Sequence, residues 1–286
     1  MFPASNIDIK FIWQGDSAGS GWEPFAALLI PVKLANCPKQ FYMQFDTGAP
    51  YSVFYRDQLK AIQAKYPAIH LNDSSTRLMN TSFTIGKQKI ECIDAGVIQS
   101  GDPSINWKNK NSIEIIGTLG VDFIDNRTAV IDYRGGEMLI GTAIPESITS
   151  GISFTDFMYM RNSILLPAVI RGKKTILYFD TGASAFELLT SKEICTSLAA
   201  PGATPVQYKV RSWDKFMTAN TFTTNDSLSI ASRKIAIRKA TYMEGASDSQ
   251  VQQMLKMGIG GMTGNKLFIN SILVLDTKNR KFGIAD

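Results

Sequence analysis

Short apolar runs, bounded by Gly, Pro, Asn and Lys, recur along the chain in the pattern of strands rather than helices. Ala26 to Leu34 reaches a turn at Asn36-Cys37-Pro38-Lys39 and continues as Phe41 to Phe45. Ile164 to Ile170 passes through Arg171-Gly172-Lys173-Lys174 into Thr175 to Phe179 in the same way. Further on, Ser82 to Ile90 and Ser227 to Ile235 each read as strand, two-residue turn, strand, and Val130 to Ile140 and Leu273 to Ile284 each read as a closing hairpin. Gly117 and Asp132 recur as Gly261 and Asp276, both 144 positions later. The pattern therefore predicts a duplicated, mostly β chain, because several elements return in one order at a nearly constant offset. Helical periodicity is confined to Tyr55–Tyr66, with Leu59 and Ile62 on one face and Pro67 as the stop, and to Glu187–Leu198 and Ser247–Met257. Pro145, Ser147, Thr149 and Ser150 interrupt the apolar pattern between Gly141 and Gly151, which places a boundary between lobes 1–145 and 146–286.

Composition narrows the chemistry. Hydrophobic residues make up 44% of the 286 positions and charged residues 19%, enough apolar material for real cores. The run Phe25–Val32 contains a proline and is far short of the roughly 18 residues a membrane helix needs, so no membrane span is expected. The net charge of +5 is spread without a basic block, so no nucleic-acid partner is expected. With one histidine, His70, and three distant cysteines, Cys37, Cys92 and Cys195, neither a metal site nor a disulfide framework is implied, and no cofactor is expected. What remains is chemistry run by carboxylates, hydroxyls and backbone.

Such chemistry has a candidate. The word Phe-Asp-Thr-Gly-Ala occurs twice, with Asp46 and Asp180 134 positions apart. One copy alone is an ordinary turn sequence; two copies in matching strand contexts are not. Asp at a strand end projects a carboxylate from a rigid element, Thr can bond to a neighbouring backbone, and Gly allows close approach of another chain. Folded face to face, the aspartates would meet and share one proton. One carboxylate could then take a proton from water while the other donates to the attacked carbonyl.

In these residues the chain resembles the two-lobed, pepsin-like aspartic peptidases, in which each lobe supplies one Asp-Thr-Gly, and the resemblance covers most of the chain. It implies a mostly β, bilobal aspartic protease fold of two pseudo-twofold-related, barrel-like lobes with few short helices. The activity it implies is that of an endopeptidase, working as a monomer without a cofactor on a polypeptide bound extended in the interlobe cleft. By that resemblance Asp46 and Asp180 are catalytic, Thr47 and Thr181 form a hydroxyl-to-backbone grip, and Gly48 and Gly182 let the loops pack. The hydrophobic-hydrophobic-Gly segments that brace such loops would be Ile115-Ile116-Gly117 and Ile259-Gly260-Gly261. Two departures stand out. The expected flap hairpin, Ala68 to Asn80 with its turn at Asn72-Asp73-Ser74-Ser75, has no tyrosine; Tyr66 and His70 just before that turn are the cleft candidates there, with His70 read first as an exposed hairpin residue. The matching hairpin Lys209–Thr218 carries Trp213, either a second flap or a packed aromatic. Ala49 and Ala183 stand where pepsin-like proteins usually have Ser or Thr, as in the retroviral-type enzymes. Without that hydroxyl donor the dyad is expected to titrate higher. The competing expectation is a catalytically silent peptide-binding protein that keeps the fold. Met1-Phe-Pro-Ala-Ser-Asn6 does not read as a signal peptide. An exported or periplasmic mature form is expected ahead of a cytoplasmic one, because aspartic peptidases are often exported, although unpaired cysteines argue against an oxidising compartment.

Overall fold

The computed structural model describes residues 5–18, 21–72, 74–142, 144–212, 215–245 and 258–286. The first part of the chain runs β1 (Ile7–Lys10), β2 (Ile12–Ala18), β3 (Gly21–Leu34), β4 (Phe41–Phe45), β5 (Val53–Tyr55), α1 (Arg56–Lys65), β6 (Arg77–Ile85), β7 (Gln88–Ile98) and β8 (Ile115–Leu119). A middle part follows: β9 (Thr128–Asp132), β10 (Glu137–Gly141), α2 (Glu146–Thr149), β11 (Phe154–Asp156) and β12 (Met158–Met160). The remainder is β13 (Ser163–Ile170), β14 (Lys173–Phe179), β15 (Leu188–Leu189), α3 (Lys192–Leu198), β16 (Val206–Ser212), β17 (Lys215–Ile230), β18 (Arg233–Glu244), β19 (Ile259–Thr263), β20 (Ile272–Asp276) and β21 (Lys281–Ala285).

Among the described residues these strands form three sheets. Strands β2 to β8 make one lobe, which curls on itself because β3 pairs with β6 as well as with β2 and β4. Strands β12 to β19 make the other, closed in the same way by β13 pairing with β17. The third sheet, in the order β1-β10-β9-β20-β21-β11, takes strands from both ends of the chain. Its central pair, β9 and β20, runs antiparallel from Asp132↔Ile272 to Thr128↔Asp276, with Leu273, Val274 and Leu275 fully buried.

The duplication extends to register. β4 lies parallel to β8 with Met43 opposite Gly117 and Phe45 opposite Leu119, after an irregularity at Tyr42/Met43. β14 lies parallel to β19 with Leu177 opposite Gly261 and Phe179 opposite Thr263, after the same irregularity at Ile176/Leu177. Alternation along a strand turns Phe41, Met43 and Phe45 inward and leaves Gln44 and Asp46 on the opposite side. The ring before each aspartate is anchored edge-on: Phe45 against Phe123 at 6.3 Å, and Phe179 against Phe268 at 5.5 Å. Each such buried ring contributes roughly 1.5–3 kcal/mol.

Helix α1 forms where periodicity places it, burying Leu59 and Ile62. The second expected helix starts later than its pattern suggested. Leu188 and Leu189 are drawn into the sheet beside Ala240 and Thr241, and only from Ser191, whose hydroxyl accepts the Ile194 N–H, does α3 begin. The third expected helix, Ser247–Met257, lies outside the described residues. No helix among the described residues is long and apolar enough to cross a membrane.

Candidate active site

Asp46 follows β4, and its N–H donates to the Leu119 carbonyl (2.9 Å); Asp180 follows β14, and its N–H donates to the Thr263 carbonyl (3.0 Å). Each chain then turns tightly beneath its own carboxylate. Asp46 Oδ1 accepts the N–H groups of Gly48 (2.9 Å) and Ala49 (3.2 Å), and Asp180 Oδ1 accepts those of Gly182 (2.8 Å) and Ala183 (3.3 Å). The two turns face each other so closely that a β-carbon on Gly48 would lie 2.6 Å from Asp180 Oδ1, and one on Gly182 would lie 2.5 Å from Asp46 Oδ1. Both glycines are therefore required by space, and the structure brings the two carboxylates together.

The threonines hold this approach. Thr47 N–H donates to Thr181 Oγ1 (2.9 Å) and Thr181 N–H to Thr47 Oγ1 (3.0 Å). Each hydroxyl in turn donates across the interface, Thr47 to the Phe179 carbonyl (2.9 Å) and Thr181 to the Phe45 carbonyl (2.8 Å). Both side chains are fully buried. Each hydroxyl thus accepts once and donates once, and the accepting carbonyls are those of the phenylalanines just before the aspartates.

Burial, and then the charge of Asp46 beside it, push the Asp180 carboxyl up to about 7; the Gly182 and Ala183 N–H groups pull the other way without prevailing. Ionising Asp180 beside a charged Asp46 is therefore opposed at this site. Tyrosines flank it on both sides. Tyr178, two residues before Asp180 on the same side of β14, has its hydroxyl pushed up to about 12, first by burial and then by the Asp180 charge. Tyr55 bonds to Thr118 Oγ1 (2.7 Å), and its hydroxyl is raised by burial.

The segments bracing the loops sit three residues later than the sequence pattern suggested. Ile115-Ile116-Gly117 and Ile259-Gly260-Gly261 pair along β4 and β14, but the groups that touch the aspartate turns are Leu119-Gly120 and Thr263-Gly264. A β-carbon on Gly120 would collide with the Ala49 and Tyr51 backbone, and one on Gly264 with that of Ala183 and Ser184. Around them lies a polar frame that motif reading missed. Ser52 Oγ accepts the Gly120 N–H and donates to Asp122. Asn265 donates to the Thr181 carbonyl (3.1 Å) and Ser184 Oγ (3.0 Å) and accepts from the Tyr133 hydroxyl (2.9 Å). Ser184 Oγ donates to the Phe25 carbonyl in β3 (2.7 Å), and Lys266 pairs with Glu23 of the same strand. The signal for Asn265 was its place directly after Gly264; Glu23 and Phe25 had none.

The other candidates fare differently. The hairpin over residues 68–80 is a stub, with one bridge, Leu71 to Leu78, and a turn in which Asn72 Oδ1 accepts the Thr76 and Arg77 N–H groups. His70 is exposed there, its carbonyl taken by the Met79 N–H. Tyr66 is drawn against Trp107, with ring centroids 5.6 Å apart, and packs on the lobe's core, because Trp107 covers the end of α1. It is a packing residue, not a flap residue. Trp213 lies outside the described residues; the strands leading to it, β16 and β17, pair from Val206↔Thr221 to Ser212↔Lys215.

No family model and no curated protein matches this sequence. Among solved structures the chain is similar to an aspartic proteinase from Irpex lacteus, at 13% sequence identity and a TM-score of 0.56, over 98% of this chain and 97% of that one. This chain has the bilobal, mostly β fold of the aspartic proteases.

Thr47→Val and Thr181→Val are each expected to destabilise the protein by about 1–3 kcal/mol, since each change strands buried partners on the other lobe. Chemical denaturation measures this; unchanged midpoints for both variants would mean that the hydroxyls hold nothing.

Proposed function

We propose that the protein is an aspartic endopeptidase. The observation that supports this best is the reciprocal seating of two carboxylates, each on its own pair of N–H groups and each against the other's glycine. In this reading water lies between Asp46 and Asp180. The ionised carboxylate takes its proton as the oxygen attacks the peptide carbonyl, and the protonated carboxyl gives its proton to the carbonyl oxygen. The tetrahedral diol then collapses as the C–N bond breaks and a proton passes to the leaving amine. Neither a metal nor a covalent enzyme intermediate is needed for that sequence. The substrate would lie extended across the cleft, where β2 and β16, edge strands among the described residues, offer backbone groups for strand-like addition. One observation favours a silent peptide-binding protein instead: among the described residues the first lobe has no long flap, only the bridge Leu71–Leu78.

Turnover decides between these readings. Asp46→Asn and Asp180→Asn should each lower kcat on a fluorogenic peptide to below a few percent of wild type while the fold is kept, because an amide can be neither the base nor the acid. Substantial turnover in either variant would remove the dyad from the mechanism.

The pH profile should be a bell, falling on the acid side as the base is protonated and on the alkaline side as the acid is lost. Ala49→Ser with Ala183→Thr adds donors that favour the ionised form, so both limbs should move toward acid by about one pH unit, the scale of one charge-assisted hydrogen bond. kcat/KM against pH for the two proteins is the measurement; a bell that stays put or moves alkaline would show that these hydroxyls do not set the titration.

A further inference from the structure

A cavity of about 400 Å³ opens beside the Asp180 turn, with Gly182, Ala183 and Ser184 in its wall. Its other walls come from both lobes: β2 and β3 on one side, β16, β17 and β18 on the other, with β16 lying against β2. Gly182, which faces the Asp46 carboxylate, is shared between this wall and the paired aspartate turns, so the cavity adjoins them.

The lining is polar in an ordered way. Tyr208, Thr221 and Thr241 form a ladder of hydroxyls, Tyr208 to Thr221 at 3.1 Å and Thr221 to Thr241 at 2.8 Å, in which either partner of each pair can donate. Three hydroxyls carry three protons and these two bonds use two, so the ladder can present Tyr208 either as a donor or as an acceptor by turning its O–H groups. At the floor Glu23 and Lys266 pair across the lobes, both nearly buried. The rim is different in kind. Trp22 lies against Gly15, which leaves no room there for a β-carbon, and 68% of Trp22 remains exposed.

The charges in this wall do not select a charged occupant. Asp16, Glu23 and Glu187 are matched in number by Lys209, Lys239 and Lys266. Glu23 and Lys266 neutralise each other, Glu187 accepts the Arg238 and Lys239 N–H groups, and Lys209 donates to Thr218. An apolar occupant would displace water from the ladder without replacing its hydrogen bonds. A long side chain with an apolar stem and an amide tip satisfies both parts, its stem along Trp22 and its tip on the ladder.

Resting on the peptidase reading above, we propose that this cavity sets substrate preference, selecting a long uncharged hydrogen-bonding side chain, glutamine foremost, at one fixed position relative to the scissile bond. Tyr208 is the specificity-determining residue and Trp22 the rim that favours length.

The test is cleavage of a proteome-derived peptide library, with products sequenced and residue frequencies aligned on the cut. Wild type should show glutamine, and less strongly asparagine, enriched at one position. In Tyr208→Phe that enrichment should fall roughly tenfold, the scale of one hydrogen bond. Trp22→Ala changes an exposed residue and so keeps the fold; it should erase the preference for glutamine over serine. Apolar or charged residues dominating every position in wild type, or an unchanged profile in both variants, would overturn the proposal. If wild type cuts nothing, the peptidase reading fails by itself, and the same library is then bound to immobilised Asp46→Asn protein. Glutamine enrichment among the retained peptides, lost in Asp46→Asn combined with Tyr208→Phe, supports the cavity; its absence overturns it.

Discussion

Thr47 and Thr181 each commit a backbone N–H and a hydroxyl to the opposite lobe, and the register of those bonds leaves the two carboxylates no room to separate. The constraint propagates backward. The accepting carbonyls belong to Phe45 and Phe179, whose rings are locked edge-on in the two cores, so the grip ties core to core and not merely loop to loop. It propagates forward as well, because Gly48 and Gly182 are the residues left facing a carboxylate at a distance where a β-carbon would not fit.

Holding two acids in contact has an electrostatic consequence. Burial and the neighbouring Asp46 charge raise the Asp180 carboxyl, against the pull of the Gly182 and Ala183 N–H groups beneath it. The paired turns sit in a hydrogen-bonded frame. Ser184–Phe25, Asn265–Tyr133 and Lys266–Glu23 surround the second turn, and the β9–β20 pairing joins strands from the two halves of the chain.

Much of this was legible in the sequence because duplication leaves marks at fixed offsets. Gly117 and Gly261 do occupy equivalent places in β8 and β19, and the repeated Phe-Asp-Thr-Gly-Ala words do end equivalent strands. What the residues did not reveal follows from physics that is not local. Leu188 and Leu189 suit a helix, but the slot between β18 and β19 inside the sheet claims them. An apolar pair marks Gly117 (Ile115-Ile116), whereas a threonine stands among the two residues before Gly120 and before Gly264, so the pattern points three residues too early; the carbonyls that accept the aspartate N–H groups are those of Leu119 and Thr263. Tyr66 looked like a cleft residue by position, and Trp107, distant in sequence, captures it. Bonds such as Ser184 to Phe25, between residues 159 apart, have no sequence signature at all.

The central claim is that the Asp180 carboxyl, buried beside Asp46, keeps its proton well above the ordinary carboxyl range. Carbon-13 NMR of aspartate side chains, followed from pH 3 to pH 9 with Asp46→Asn and Asp180→Asn for assignment, reads this directly. The Asp180 carboxyl carbon should show its step near 7. An Asp180 step near the ordinary value of 3.8 would contradict the account.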